Sequence, residues 1–127
     1  MRNGARRIVE QPFRSIVNEE WKRSKKLLPN RLKKKPTFRW MTIKKLKGSF
    51  GRCWTYWGKS LIGLREGYMK LEDHTEFRHT IRHEIAHVAD PKAGHGPDFM
   101  FFLERLEGTR YVPREAAEVI RPRRKKK

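Results

Sequence analysis

His83-Glu84-Ile85-Ala86-His87 constrains this chain more than any other stretch. In a strand, two residues four apart lie roughly 13 Å from each other, too far to share an ion. On a helix they stack on one face, so both imidazoles reach one metal only if this segment is helical. The flanking residues agree. Phe77, Ile81, Ile85 and Val88 recur at helical spacing as a buried stripe. Asp73, with Glu76 three residues on, has the form of a capping box. Asp90-Pro91 ends the helix, because the residue before a proline is pushed out of the helical region. His79 shares the face of His83 and His87, but the glutamate must lie between the two ligands. That selects His83 and His87 and leaves His79 a neighbour of the site or a surface residue.

A third ligand decides the chemistry. His95 follows after a short loop, in His95-Gly96-Pro97-Asp98-Phe99. The glycine beside it lets the backbone turn closely around an ion. Pro97 suits the first turn of a new helix, Phe99 to Leu106, with Gly108 as its stop. Three histidines around one Zn2+ leave a coordination position open, as in a catalytic site, and Glu84 is placed to deprotonate a water there. The zinc class with glycine at position 90 and histidine at position 93 is excluded by Asp90 and Ala93. Another class takes a glutamate from a following helix. Glu104 or Glu107 would serve for that, but His95 is nearer.

HEIAHV followed by HGPDF resembles the SprT-like (Spartan-type) zinc metalloprotease family, whose pattern is H-E-x-x-H, a variable loop, then H-G-x-x-F or H-G-x-x-W. Upstream, Gly51-Arg52-Cys53 and Leu61-Ile62-Gly63-Leu64 resemble the family's glycine-containing strand and its I-x-L strand. The resemblance covers roughly residues 10 to 112. It implies His83, His87 and His95 as zinc ligands, Glu84 as general base, and proteolysis of DNA-bound or DNA-crosslinked proteins. The chain departs from the pattern in two respects. The loop between His87 and His95 is short, and the one cysteine, Cys53, cannot build the four-cysteine zinc ribbon that many relatives carry. DNA binding then has to come from another part of the chain.

Charge placement indicates which part. The formal charge of +18 is segregated: residues 21 to 65 hold fifteen Lys and Arg and no acid, whereas residues 66 to 118 are net acidic. Such asymmetry points to a nucleic acid or another polyanion rather than to a merely soluble surface. Lys25, Lys26, Arg31, Lys33, Lys34, Lys35, Lys44, Lys45, Lys47 and Arg52 are the candidate phosphate contacts. Phe38, Trp40, Phe50, Trp54, Tyr56 and Trp57 are interleaved with them, and exposed rings can stack on unpaired bases. Core packing is the better reading of Trp40 and Trp54. Trp57, before Gly58 near a turn, is the candidate for exposure.

At 127 residues the expectation is one domain over 1–118 and a basic, disordered tail over 119–127. No apolar run approaches a membrane span, no signal-peptide core is visible, and a single cysteine fits a reducing compartment. An intracellular, monomeric protein is expected. The elements read as a helix over Pro12 to Leu28, then strands at Thr37 to Ile43, Gly51 to Trp57 and Ser60 to Leu64. A tight turn at Gly58-Lys59 joins the last two strands. The metal helix and the Phe99 helix follow, and Pro113 to Ile120 forms a last short one. The fold class is α+β, a small antiparallel three-stranded sheet packed with helices, with H-E-x-x-H on a zincin-like active-site helix.

The functional expectation is a DNA-associated zinc metallopeptidase, with single-stranded or junction-like DNA as partner. The strand nearest the cleft, Ser60 to Leu64, would pair with an extended substrate, and Tyr111 or Arg110 would stabilise the oxyanion. Two other classes stay open. A zinc-dependent nuclease would cut strands without proteolysis and has no need of Glu84. A nucleic-acid-binding module with a non-catalytic zinc site would bind DNA in a salt-sensitive way and hydrolyse nothing.

Overall fold

The computed structural model describes residues 7–92 and 94–108. Their order is β1 (Arg7–Ile8), α1 (Phe13–Leu27), β2 (Thr37–Met41), β3 (Gly51–Tyr56), β4 (Lys59–Arg65), α2 (Thr75–Ala89) and α3 (Pro97–Glu107). A short 3-10 helix, Glu66–Lys70, links β4 to α2. The expected α+β architecture is present, with two corrections to the sheet. It has four strands rather than three, in the order β1-β2-β4-β3, and it is mixed rather than antiparallel. The two residues of β1 are too few to show a period, yet they pair antiparallel with β2. The hairpin folds β3 against one edge of β4, which leaves the other edge to β2, and those two strands run parallel.

Alternation along the strands separates two apolar layers. Phe38 and Trp40 of β2 and Ile62 and Leu64 of β4 point toward the helices. There they join Phe13, Val17 and Trp21 of α1, Phe77, Ile81 and Ile85 of α2, and Phe99 and Leu103 of α3. On the opposite face Met41, Leu46 and Leu61 form a small second cluster, with Trp54 half-buried against it. Gly63 makes this possible: a Cβ there would collide with the Met41 side chain. The β3–β4 turn is Trp57-Gly58, one residue earlier than expected, with Tyr56 opposite Lys59. Both turn residues have positive φ, 49° and 74°, the twist a two-residue hairpin requires.

The N-cap of α2 is His74, not Asp73, and it makes no side-chain capping bond; Asp73, one residue before it, accepts the Thr75 backbone N–H at 3.0 Å. Gly108 closes α3 in the left-handed conformation, with φ 76°. No helix among the described residues is long and apolar enough to cross a membrane.

A buried charge network joins the three helices. Glu20 of α1, 2% exposed, accepts two bonds from the Arg82 guanidinium of α2, at 2.7 and 2.9 Å, and a third from Arg78 at 2.8 Å. Arg82 also donates to Glu107 of α3 at 2.8 Å, and Glu107 pairs with His79 at 2.9 Å. Burial alone would raise the Glu20 carboxyl, but the bonds from Arg82 and Arg78 outweigh it and leave it below the ordinary carboxylate value. Its contribution to stability is therefore present above the ordinary carboxylate range and lost as pH falls through the folded value. Glu20→Gln is expected to cost about 3–5 kcal/mol near neutral pH, as measured by urea unfolding, because two guanidiniums lose their buried partner. The deficit should shrink on acidification.

Candidate metal centre

Helix α2 places His83 and His87 one turn apart, with ring centroids separated by 5.1 Å. The loop after α2 carries His95 back over them, and its Nε2 lies 3.2 Å from the Nε2 of His83. One ligand atom from each of the three histidines falls within 4.8 Å of the others, a group able to hold a metal ion. The glycine that lets the loop return is Gly94, at φ +89°, and not Gly96, whose φ of −76° any residue adopts. The two candidate glutamates fall outside this group. Glu107 is engaged by Arg82 and His79, which also accounts for His79 standing apart from the three-histidine group.

Phe99 is the platform beneath the three rings. Fully buried at the start of α3, it lies 4.4 Å from His87, 4.7 Å from His95 and 5.1 Å from His83, centroid to centroid. The phenylalanine of H-G-P-D-F thus has a physical task, to limit how the imidazoles can rotate.

The environment keeps the imidazoles neutral, as metal ligation requires. Burial, reinforced by the His87 and His95 rings, pushes His83 down to about 3. Burial and His95 push His87 down to about 4, against an opposing pull from Asp90. Burial lowers His95 as well. Convergent neutral imidazoles suit Zn2+, and also other borderline divalent ions. The donor set therefore fits the expected metal.

Glu84, 2% exposed, lines the same cleft of about 570 Å³. Its neighbour across the cleft is Gly51, the first residue of β3. A Cβ on Gly51 would stand 3.1 Å from the Glu84 carboxylate and 2.9 Å from Thr80 Cγ2. Thr80 is itself held by Tyr68, hydroxyl to hydroxyl at 2.6 Å. None of these contacts to Glu84 carries a local sequence signal, since they arise between segments some 30 residues apart. Cys53 also lines the cleft, but burial and the Glu84 charge push its thiol up to about 12. It stays protonated and is no nucleophile.

One wall of the cleft is Gly51, Arg52, Cys53 and Thr55 of β3, and the other is the Asp90–His95 loop. This corrects the expectation for Ser60 to Leu64. That segment, in β4, is hydrogen-bonded on both sides, whereas β3 is the sheet edge beside the cleft.

The basic candidates divide. Arg31 is engaged structurally: it donates to the Ala89 carbonyl at 3.1 Å and covers the Phe102 ring at 5.0 Å. Lys35 donates to Asn18 at 2.6 Å. Lys25 and Lys26 are exposed on α1, and Lys33 and Lys34 on the connector after it. Lys44, Lys45, Lys47 and Arg52 line a separate hollow with Trp54. Trp57 is 94% exposed, and Trp40 is fully buried. Arg110, Tyr111, the segment 113–120 and the basic tail lie outside the described residues.

Replacing any one of His83, His87 or His95 with alanine is expected to weaken metal binding by roughly a hundredfold. The reason is that about 10–16 kcal/mol of binding free energy is shared among a handful of ligands. His79→Ala should leave metal affinity unchanged. Competition against a chelating dye reads both.

The chain matches the model of the SprT-like family over residues 11–119. No curated protein and no solved structure matches it significantly. The family match spans both walls of the cleft and all three histidines, and the chain belongs to the SprT-like family.

Proposed function

We propose that this protein is a zinc-dependent metallopeptidase that hydrolyses peptide bonds in proteins bound or crosslinked to DNA. Family membership suggests a metallopeptidase-type role, and the position of Glu84 carries the reading further. The Glu84 carboxylate lines the same cleft as three convergent histidines, beside a strand at the edge of the sheet. A nuclease would have no use for it.

Bound by His83, His87 and His95, zinc supplies Lewis acidity and a water acidified toward neutral pH. Glu84 accepts the proton of the attacking water and delivers it to the leaving amine nitrogen. The backbone of β3 hydrogen-bonds to an extended substrate segment, a mode of capture largely blind to sequence. Tyr111 or Arg110, which follow α3 in the chain, are the candidates for stabilising the developing oxyanion. Gly51 positions Glu84 by leaving it room.

Glu84→Gln is expected to retain zinc and to lose cleavage of a basic DNA-binding protein by at least roughly a hundredfold, assayed with and without single-stranded DNA. Undiminished cleavage would remove Glu84 from the mechanism. Scission of labelled DNA or RNA without proteolysis would establish the nuclease instead. Gly51→Ala should lower cleavage by roughly tenfold or more while zinc content stays the same, because the added methyl displaces the base by a fraction of an ångström.

A further inference from the structure

The outer face of the sheet, away from the helices, carries a second feature that the peptidase chemistry does not use. Arg52, Trp54 and Tyr56 alternate along β3 and share this face. With Lys44, Lys45 and Lys47 from the loop after β2, Arg52 and Trp54 line a hollow of about 500 Å³. It continues past Tyr56 in a smaller depression lined by Lys45, Trp54 and Tyr56. Lys45 Nζ and Arg52 Cζ stand 6.0 and 5.6 Å from the Trp54 ring. At the far end the hairpin presents Trp57.

Trp57 is costly where it stands. It occupies a turn position at φ 49°, where glycine, asparagine or aspartate are the residues at ease, at a cost of roughly 1–2 kcal/mol for other side chains. It is 94% exposed and so gains little from burial, and its near neighbour Tyr56 is 47% exposed. A large ring held out at conformational cost, at the end of a cationic hollow without an acid lining it, is complementary to a ligand with both phosphates and unpaired bases.

We propose that this face binds single-stranded nucleic acid along β3, with Lys45 and Arg52 on phosphates and Tyr56 and Trp57 stacking on bases. The proposal builds on the peptidase reading, because it gives the polyanion a place relative to the bond being cut. Arg52 lines both the basic hollow and the metal cleft. A strand on the outer face therefore lies one β-strand's width from the edge where a substrate backbone would pair. A protein attached to that strand is held at the cleft by tethering.

The test is fluorescence anisotropy with the full zinc-loaded chain, using labelled oligo-dT, oligo-rU and a DNA duplex at several salt concentrations. Binding requires no hydrolysis, so the peptidase reading can fail while this one stands, and the converse. Trp57→Ala and Tyr56→Ala should each weaken both oligonucleotides by on the order of tenfold and leave the duplex little changed. Lys45→Glu should weaken all three and flatten the salt dependence. The double variant Arg14→Glu, Lys22→Glu, at exposed positions of α1, should leave oligonucleotide affinity within about twofold, since these cations lie on a different element. Circular dichroism and zinc content confirm that each variant is folded. Unchanged oligonucleotide affinity in Trp57→Ala and Tyr56→Ala overturns the proposal. So does duplex binding that depends equally on the two rings, or loss of binding in the α1 variant alone. A preference between dT and rU identifies the source of the strand.

Discussion

The bidentate grip of Arg82 on Glu20, with its second hand on Glu107, determines what α2 can do. A helix packed only by Phe77, Ile81 and Ile85 could roll about its axis at modest cost, since apolar contact has no direction. Charged hydrogen bonds do have direction. Arg82 ties α2 to a helix before it and a helix after it in the chain, and Arg78 adds a second tie to Glu20. His83 follows Arg82 immediately, so the rotation that satisfies the guanidinium also aims the imidazole into the cleft. Buried ion pairs are weak stabilisers when weighed against a hydrophobic replacement. Here the network's value lies in fixing an orientation that a metal site needs to a fraction of an ångström.

Those same ties divide the chain's positive charge into two kinds. Arg78 and Arg82 neutralise buried carboxylates, Arg31 closes the carboxyl end of α2, and Arg65 holds the turn at residues 48–49 while covering Phe50. These arginines use planar, multidentate geometry, the property that separates arginine from lysine. The cations with free reach are mostly lysines on the surface. Net charge in a window of sequence counts both kinds alike, which is why the acid-free block from residue 21 to 65 reads as a single polyanion site and folds into several distinct surfaces.

What sequence reading recovered was whatever has a short-range cause. His83 and His87 are paired by helical spacing, α3 starts at Pro97 and stops at Gly108, and Trp40, expected in the core, is fully buried. His95 was found because its return needs only a short loop. The features it missed depend on pairing between distant segments. The parallel contact of β2 with β4 follows from which edge of β4 the hairpin leaves open, and no single strand encodes that. For the same reason the sequence does not show that Ser60 to Leu64 is paired on both sides; its apolarity suits an interior strand rather than an edge.

The edge position of β3 then has consequences on both sides. Among the described residues β3 is a sheet edge beside the histidine cleft, and such an edge can pair with an extended chain, including another copy of this protein. On the proposed capture through the backbone, selectivity would come from what brings a substrate near rather than from side-chain pockets. The outer face of the same strand is where Arg52, Trp54 and Tyr56 project. Alternation makes this economical: one six-residue strand presents Gly51, Cys53 and Thr55 to the histidine cleft and Arg52, Trp54 and Tyr56 to the other side. Sliding β3 by one residue would exchange the two sets, placing Arg52 against Glu84 and Gly51 outside. The register that spares Glu84 a side chain at Gly51 is thus the register that builds the basic, aromatic face, and neither can be altered without the other.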